Sequence, residues 1–253
     1  MIDLNTPMIE IDRPTAADDV CKCIAAIALS CVGLTGRQAT RERFGRQIGP
    51  RDAPESDRPA NEASRRSIVE WLKKPFGAGG PSTCGMVGES FHAQLGADAP
   101  TLYRPYVAGT AVSRAVAYLQ VMKAWHDAMH QADLEPRPQL AAYVVIGCTK
   151  PKGWTQSWDW GGIEHAFRIV SRDLDADVFQ SVDGGSVDGK TGLQCVKAVT
   201  RRWTIIRGHA WLVDPVKGTG RRVLGWGDPA LLAFRPGLPM IVPEGWEGVD
   251  TDG

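Results

Sequence analysis

Hydrophobic residues recur with two different periodicities along the chain, and the periodicity changes at Pro138. Before this point, apolar residues recur at the three- and four-residue intervals that are typical of amphipathic helices. Glycine, proline and capping residues near several of these segments supply helix start and stop signals. The pattern predicts four helices, at Thr15–Leu34, Ser64–Lys74, Cys84–Leu95 and Thr110–Ala132.

After Pro138, apolar residues form short continuous runs or alternate with polar residues, as strands do. The predicted strands are Ala141–Gly147, Ile163–Val170, Val178–Val182, Leu193–Ile206 (one strand or two), Ala210–Val213 and Arg222–Leu224. Short turns such as Asp183-Gly184-Gly185 lie between them, which favours antiparallel pairing. Helices followed by an antiparallel sheet predict an α+β fold in which N-terminal helices pack on the sheet.

Composition narrows the possible partners. The 253 residues include 29 basic and 29 acidic side chains, so no net field favours nucleic acid or an anionic membrane. The apolar stretch Val20–Leu34 is too short to insert across a bilayer. Met1–Asn5 has no basic region of the kind that opens a Sec signal. We therefore expect synthesis in the cytoplasm and, if the substrate lies outside it, delivery by another route.

The six cysteines are irregularly spaced and form no CxxC pair, so neither a disulfide framework nor a metal motif is predicted. Cys21, Cys23 and Cys31 fall in an apolar helical segment and are expected in the core. Cys84 is different, because it follows Gly79-Gly80-Pro81-Ser82-Thr83 at a helix start. Unpaired N–H groups and the positive helix end stabilise a thiolate there and can receive an oxyanion. Cys84 is the candidate nucleophile, and the alternative is a small buried hydrophobe.

A thiol nucleophile requires a base and a group that orients this base. His165 is the candidate base, because on its strand it shares a face with apolar neighbours that should meet the helices. A satisfied core histidine is the alternative. Asp183, which ends the next predicted strand, is the candidate orienting group, and Asp188 and Glu164 are substitutes.

The order of these segments resembles the papain-like cell-wall hydrolases, which include the NlpC-type peptidases and the CHAP amidases. The matching features are a Cys at a helix start, an apolar strand ending in Gly147, the run Glu164–Val170 and the run Ser181–Gly185. The resemblance implies a papain-like fold with Cys84 as nucleophile, His165 as base and Asp183 as orienting residue. It also implies a domain organisation: a helical extension at 1–80, a catalytic domain at 81–235 and an extended tail at 236–253.

Three other groups of residues bear on binding. Trp158 and Trp160 lie in the loop before the His165 strand, and with Thr83 they are candidate substrate contacts, although tryptophans also pack cores. His126 and His130 stand four residues apart on a predicted helix but lack a third ligand, so no metal or other cofactor is predicted. The late strands carry a basic stripe, expected to be a solvated sheet face or a carboxylate site: Arg201, Arg202, Arg207, Arg221 and Arg222.

The resemblance implies cleavage of an amide bond in bacterial peptidoglycan, by a phage lysin or an antibacterial effector exported by a type VI-like machine. An effector would have an immunity protein and a component of the secretion machine as partners, and would act in the periplasm or cell wall. Two alternatives remain. One is a thiol protease, deamidase or acyltransferase that acts on proteins. The other is a binding module without enzymatic activity.

Overall fold

Strands dominate the part of the chain whose structure is known. The computed structural model describes residues 2–33, 112, 116, 119, 120, 123–129, 137–147, 163–187, 194–231 and 240–249. One α-helix is described in full, α1, at Ala17–Leu29. The strands are β1 Met8–Ile11, β2 Trp125–Asp127, β3 Tyr143–Gly147, β4 Ile163–Asp173, β5 Val178–Val187, β6 Gln194–Ile206, β7 His209–Val213, β8 Gly220–Gly227 and β9 Met240–Pro243.

Six of these strands form a closed antiparallel barrel. Strands β3 to β8 pair in chain order, and β8 pairs again with β3, which closes the sheet on itself. The predicted papain-like α+β fold, with N-terminal helices packed on an antiparallel sheet, is therefore wrong. The barrel closes because β8 pairs with two strands, with β7 through Gly220–Arg222 and with β3 through Arg222–Gly227. The local sequence pattern does not show which strands pair, so it does not predict this closure.

The barrel interior holds one of two hydrophobic clusters in the described residues. A single cluster of buried side chains draws members from all six strands of the barrel, which identifies these side chains as the inward-facing ones. They include Val144, Ile146, Phe167, Ile169, Phe179, Trp203, Ala210, Leu212, Val223 and Trp226. Trp203 and Trp226 meet edge to face, with ring centroids 6.0 Å apart. The six strands therefore share a common apolar interior.

Helix α1 packs on the outside of the barrel. Its apolar side chains form a second cluster with Val170, Val182 and Val196, which alternate with the inward-facing residues of their strands. The predicted first helix is confirmed but ends at Leu29, where Ser30 caps it. The chain then turns into Gly33, whose φ of 93° suits glycine and whose N–H donates to the Val196 carbonyl oxygen at 2.9 Å.

Two short segments differ from their predicted form. Trp125–Asp127, expected within a helix, is strand β2 and extends the sheet along β8. Lys123 precedes it with a φ of 56°, a left-handed conformation in which a helix does not continue. Strand β5 runs through the predicted Asp183-Gly184-Gly185 turn, with a register shift against β6 between Asp183 and Ser186.

The described ends of the chain lie together. Strand β9, which falls in the predicted extended tail, pairs with β1 in a separate two-stranded sheet. Met240, Val242 and Trp246 join the cluster around α1. The predicted helices at Ser64–Lys74 and Cys84–Leu95 lie outside the described residues.

Candidate functional site

A polar group interrupts the apolar inward face of the barrel. His165 precedes Phe167 by two residues on β4, and Ser181 and Asp183 follow Phe179 at the same spacing on β5. Since side chains two residues apart lie on one face of a strand, these polar groups share the face that lines the barrel. The sequence predicts an apolar layer beside His165, and the structure shows that this layer is the barrel interior and not a helix interface.

His165 and Asp183 are directly hydrogen-bonded. Their Nε2 and Oδ2 atoms lie 2.7 Å apart. The imidazole keeps 23% of its surface exposed, whereas the Asp183 side chain keeps only 3%. The predicted proximity of these two residues on neighbouring strands is therefore present, with the carboxylate inside and the ring reaching towards the solvent.

Arg201 completes the group from β6. Its Nη2 donates to Asp183 Oδ2 at 2.6 Å, and its Nη1 donates to Oδ1 at 3.0 Å. The Ser181 hydroxyl donates to Oδ1 at 2.7 Å and also contacts Arg201 Nη1. The guanidinium lies over the Phe167 ring, 4.0 Å from its centroid, and the Arg201 side chain is only 12% exposed. A two-pronged ion pair of this kind fixes the carboxylate in one orientation.

These neighbours determine the charge of Asp183. Burial alone would raise the pKa of its carboxyl, but the hydrogen bonds and positive charges of His165 and Arg201 outweigh burial and lower the pKa below its ordinary value. The carboxylate is therefore ionised at neutral pH and accepts a hydrogen bond from His165. The imidazole then carries its proton on Nε2, which makes Nδ1 the nitrogen that can accept a second proton.

Arg201 was predicted to lie in a basic stripe that is either a solvated sheet face or a carboxylate site, and the structure shows it bonded to the Asp183 carboxylate and not solvated. In the structure it points inward, whereas Arg222 contacts a different partner, with its Nη2 2.8 Å from His209 Nδ1. The sequence did contain a signal, because Arg201 stands two residues from Trp203 on a strand with an apolar inward face. The alternation marks Arg201 as inward-facing, but only closure of the barrel brings it over Phe167.

Several predicted residues lie outside the described residues: Cys84, Thr83, Trp158, Trp160, Asp188 and His130. His126 is on strand β2, so the predicted helical His126–His130 pair is wrong, and the His126 ring stacks on Trp226 at a centroid distance of 5.4 Å. Across the described ranges, no group of three or more His, Cys, Asp or Glu side chains could hold a metal ion.

Four cysteines are described, and all four are buried and not disulfide-bonded: Cys21, Cys23, Cys31 and Cys195. Burial raises the pKa of Cys21 and of Cys23 to about 12. Two of the six cysteines, Cys84 and Cys148, are left as candidates for a reactive thiol outside this set.

No protein-family model, curated protein or solved structure matches this chain. Within the described parts of the chain, no helix combines the length and the apolar character needed to cross a membrane.

Proposed function

We propose that the chain is a cysteine-dependent hydrolase that cleaves an amide bond of bacterial peptidoglycan. The observation that carries the proposal is the His165–Asp183 pair at 2.7 Å, with an ionised carboxylate inside the barrel and a partly exposed imidazole. An imidazole held by a buried carboxylate is the base that a thiol nucleophile needs. The nucleophile is assigned to Cys84 from its sequence setting, and the substrate from the order of the motifs around these residues.

The proposed reaction uses His165 Nδ1 as the proton carrier. This nitrogen takes the proton of the Cys84 thiol, and the thiolate attacks the amide carbonyl carbon. The C–N bond then breaks, and the imidazolium gives its proton to the departing amine. Water, deprotonated by the same imidazole, hydrolyses the thioester and releases the thiol. Asp183 stays ionised throughout and holds the ring with its proton on Nε2, and the backbone N–H of Cys84 serves the oxyanion.

The test is muropeptide release from purified sacculi, measured by chromatography. We expect release by the wild-type protein, and a loss of at least about a thousandfold in Cys84→Ala and in His165→Ala. Cys148→Ala and His209→Gln are matched controls, because each removes the same kind of side chain elsewhere. Both should keep wild-type activity. Sacculi left intact by the wild type, or activity that survives Cys84→Ala, would contradict the proposal.

Thiol alkylation separates the catalytic centre from its substrate. Iodoacetamide at about pH 6 should label Cys84 in preference to the buried cysteines, and His165→Ala should slow this labelling. Rapid labelling of Cys84 in a protein that leaves sacculi intact would support the thiol centre but refute the cell-wall substrate, and would favour a protein substrate. Labelling of Cys84 no faster than that of Cys148, and insensitive to His165→Ala, would refute a thiol enzyme and favour a binding module.

A further inference from the structure

We propose that Arg201 is a positioning residue that sets the pH at which the His165 imidazole takes up its second proton. Arg201 does so by sharing the carboxylate on which the imidazole depends. The consequence for catalysis rests on the proposed function, but the protonation equilibrium itself is a property of the protein without substrate.

The sharing is visible at a single atom. Asp183 Oδ2 accepts hydrogen bonds from both His165 Nε2, at 2.7 Å, and Arg201 Nη2, at 2.6 Å. An imidazole paired with a carboxylate alone gains a proton more readily, because the negative charge stabilises the imidazolium. Here the guanidinium already balances that negative charge. It also lies within about 5 Å of the imidazole, since both bond the same oxygen, and so opposes a second positive charge.

Phe167 contacts both hydrogen-bond partners of Asp183 Oδ2, His165 and Arg201. The Arg201 guanidinium lies over its ring, and the His165 ring centroid is 5.9 Å from the Phe167 centroid. The Ser181 hydroxyl contacts Arg201 Nη1 and donates to Asp183 Oδ1. The guanidinium is therefore held in a single place by an aromatic face, a hydroxyl and two carboxylate oxygens, so its effect on the imidazole is fixed and not averaged over rotamers.

Other titratable or charged groups near this site are few within the described residues. Cys195 and Lys197 alternate in step with Arg201 on β6, and the Lys197 backbone is the register partner of Asp183, with Lys197 itself exposed. Asp214, which directly follows β7, has its pKa lowered mainly by the backbone N–H groups of Lys217 and Val216 and least by the positive charge of Arg201. On β3, His165 pairs with Ile146, which carries no charge. Arg201 hydrogen-bonds both carboxylate oxygens of Asp183.

The test is an NMR titration of the His165 imidazole in the full chain without substrate. In Arg201→Met the midpoint should move to higher pH by about one unit, because the opposing charge is lost. Arg202→Met is the matched control, since Arg202 is adjacent and exposed. Its midpoint should equal that of the wild type. An unchanged midpoint in folded Arg201→Met would overturn the proposal.

Arg201→Lys keeps the proposal testable if the Met variant fails to fold. Lysine retains the charge but not the two-pronged geometry, so the midpoint should stay within about 0.3 units of the wild type. A shift of a full unit in this variant would also overturn the proposal. On sacculi, the acidic limb of the pH–rate profile should follow the NMR midpoint from variant to variant. A midpoint that shifts as expected in a protein that leaves sacculi intact would refute the proposed function alone.

Discussion

Replacing Asp183 with Asn removes one charge from a side chain whose two oxygens both accept hydrogen bonds from charged donors. Oδ1 accepts from Arg201 Nη1 and from Ser181, and Oδ2 accepts from His165 Nε2 and Arg201 Nη2. Asparagine has an NH₂ group at one of these two positions. In either orientation this NH₂ faces a guanidinium N–H, donor against donor. No flip of the amide satisfies the site.

The magnitude follows from the burial of the partner. The Arg201 side chain is only 12% exposed, so little water reaches its guanidinium. Loss of the Asp183 charge therefore leaves this buried positive charge without the carboxylate that balances it. Breaking a buried ion pair by removing one partner costs about 3 to 5 kcal/mol. For a chain of this size, the lower figure corresponds to a fall in Tm of about 10 °C. Activity should fall about 10³- to 10⁴-fold as well, because the tautomer with Nδ1 unprotonated is no longer enforced.

Urea denaturation at pH 7, followed by circular dichroism, measures this free energy. Asp214→Asn is the control, because Asp214 Oδ1 accepts backbone N–H groups of Val216 and Lys217 that an asparagine oxygen can also accept. The control should leave the free energy of unfolding the same as that of the wild type within the error of the measurement. An Asp183→Asn variant within about 1 kcal/mol of the wild type would show that the carboxylate is not an ionised partner of the buried guanidinium.

Two further predictions concern the pH dependence of stability and the packing of strand β2 on β8. The folded-state pKa of Asp183 lies below its ordinary value near 3.8, so its stabilisation is complete above that value and is lost as the pH falls through the folded-state pKa. The free-energy difference between wild type and Asp183→Asn should therefore shrink below about pH 4 in thermal denaturation, and a constant difference down to about pH 2 would contradict the assignment. A Cβ on Gly225 would overlap the His126 carbonyl oxygen and the Trp125 ring, whereas a Cβ on Gly248 would meet nothing within 4 Å. Gly225→Ala should cost about 2 to 3 kcal/mol and Gly248→Ala almost nothing in chemical denaturation, and equal stabilities would refute the pairing of β2 with β8.

Local patterns predicted the elements whose form depends on their own residues. The helical repeat located α1, and the apolar run Tyr143–Gly147 and the alternation after Ile163 located β3 and β4. The misassigned segment Trp125–Asp127 is only three residues long and is a strand because β8 pairs with it. Three residues are too few to show the alternation of a strand, so the helical periodicity before them decides the prediction. In that preceding stretch Val116 and Leu119 are indeed helical.

The candidate site could be predicted only within neighbouring strands. His165 and Asp183 lie on adjacent strands, so an antiparallel hairpin and the two-residue alternation suffice to place them on one face. Arg201 comes from the next strand, where alternation places it on the same face as Trp203, but this face is an interior only because the sheet closes into a barrel. The choice between a solvated face and an interior depends on β8 pairing with β3, which no local pattern encodes.

The closed barrel explains why three ionisable groups occur together here. A carboxyl placed alone on this inward face would have its pKa raised by burial and would be a poor partner for an imidazole. An imidazole at the partly exposed edge offsets this effect of burial on the carboxyl pKa only while it carries two protons and a positive charge. A general base, however, must begin in its neutral form. Arg201 supplies a permanent positive charge, so Asp183 stays ionised whether or not His165 carries its second proton. The arginine therefore allows an imidazole that gains and loses a proton to keep one orientation throughout.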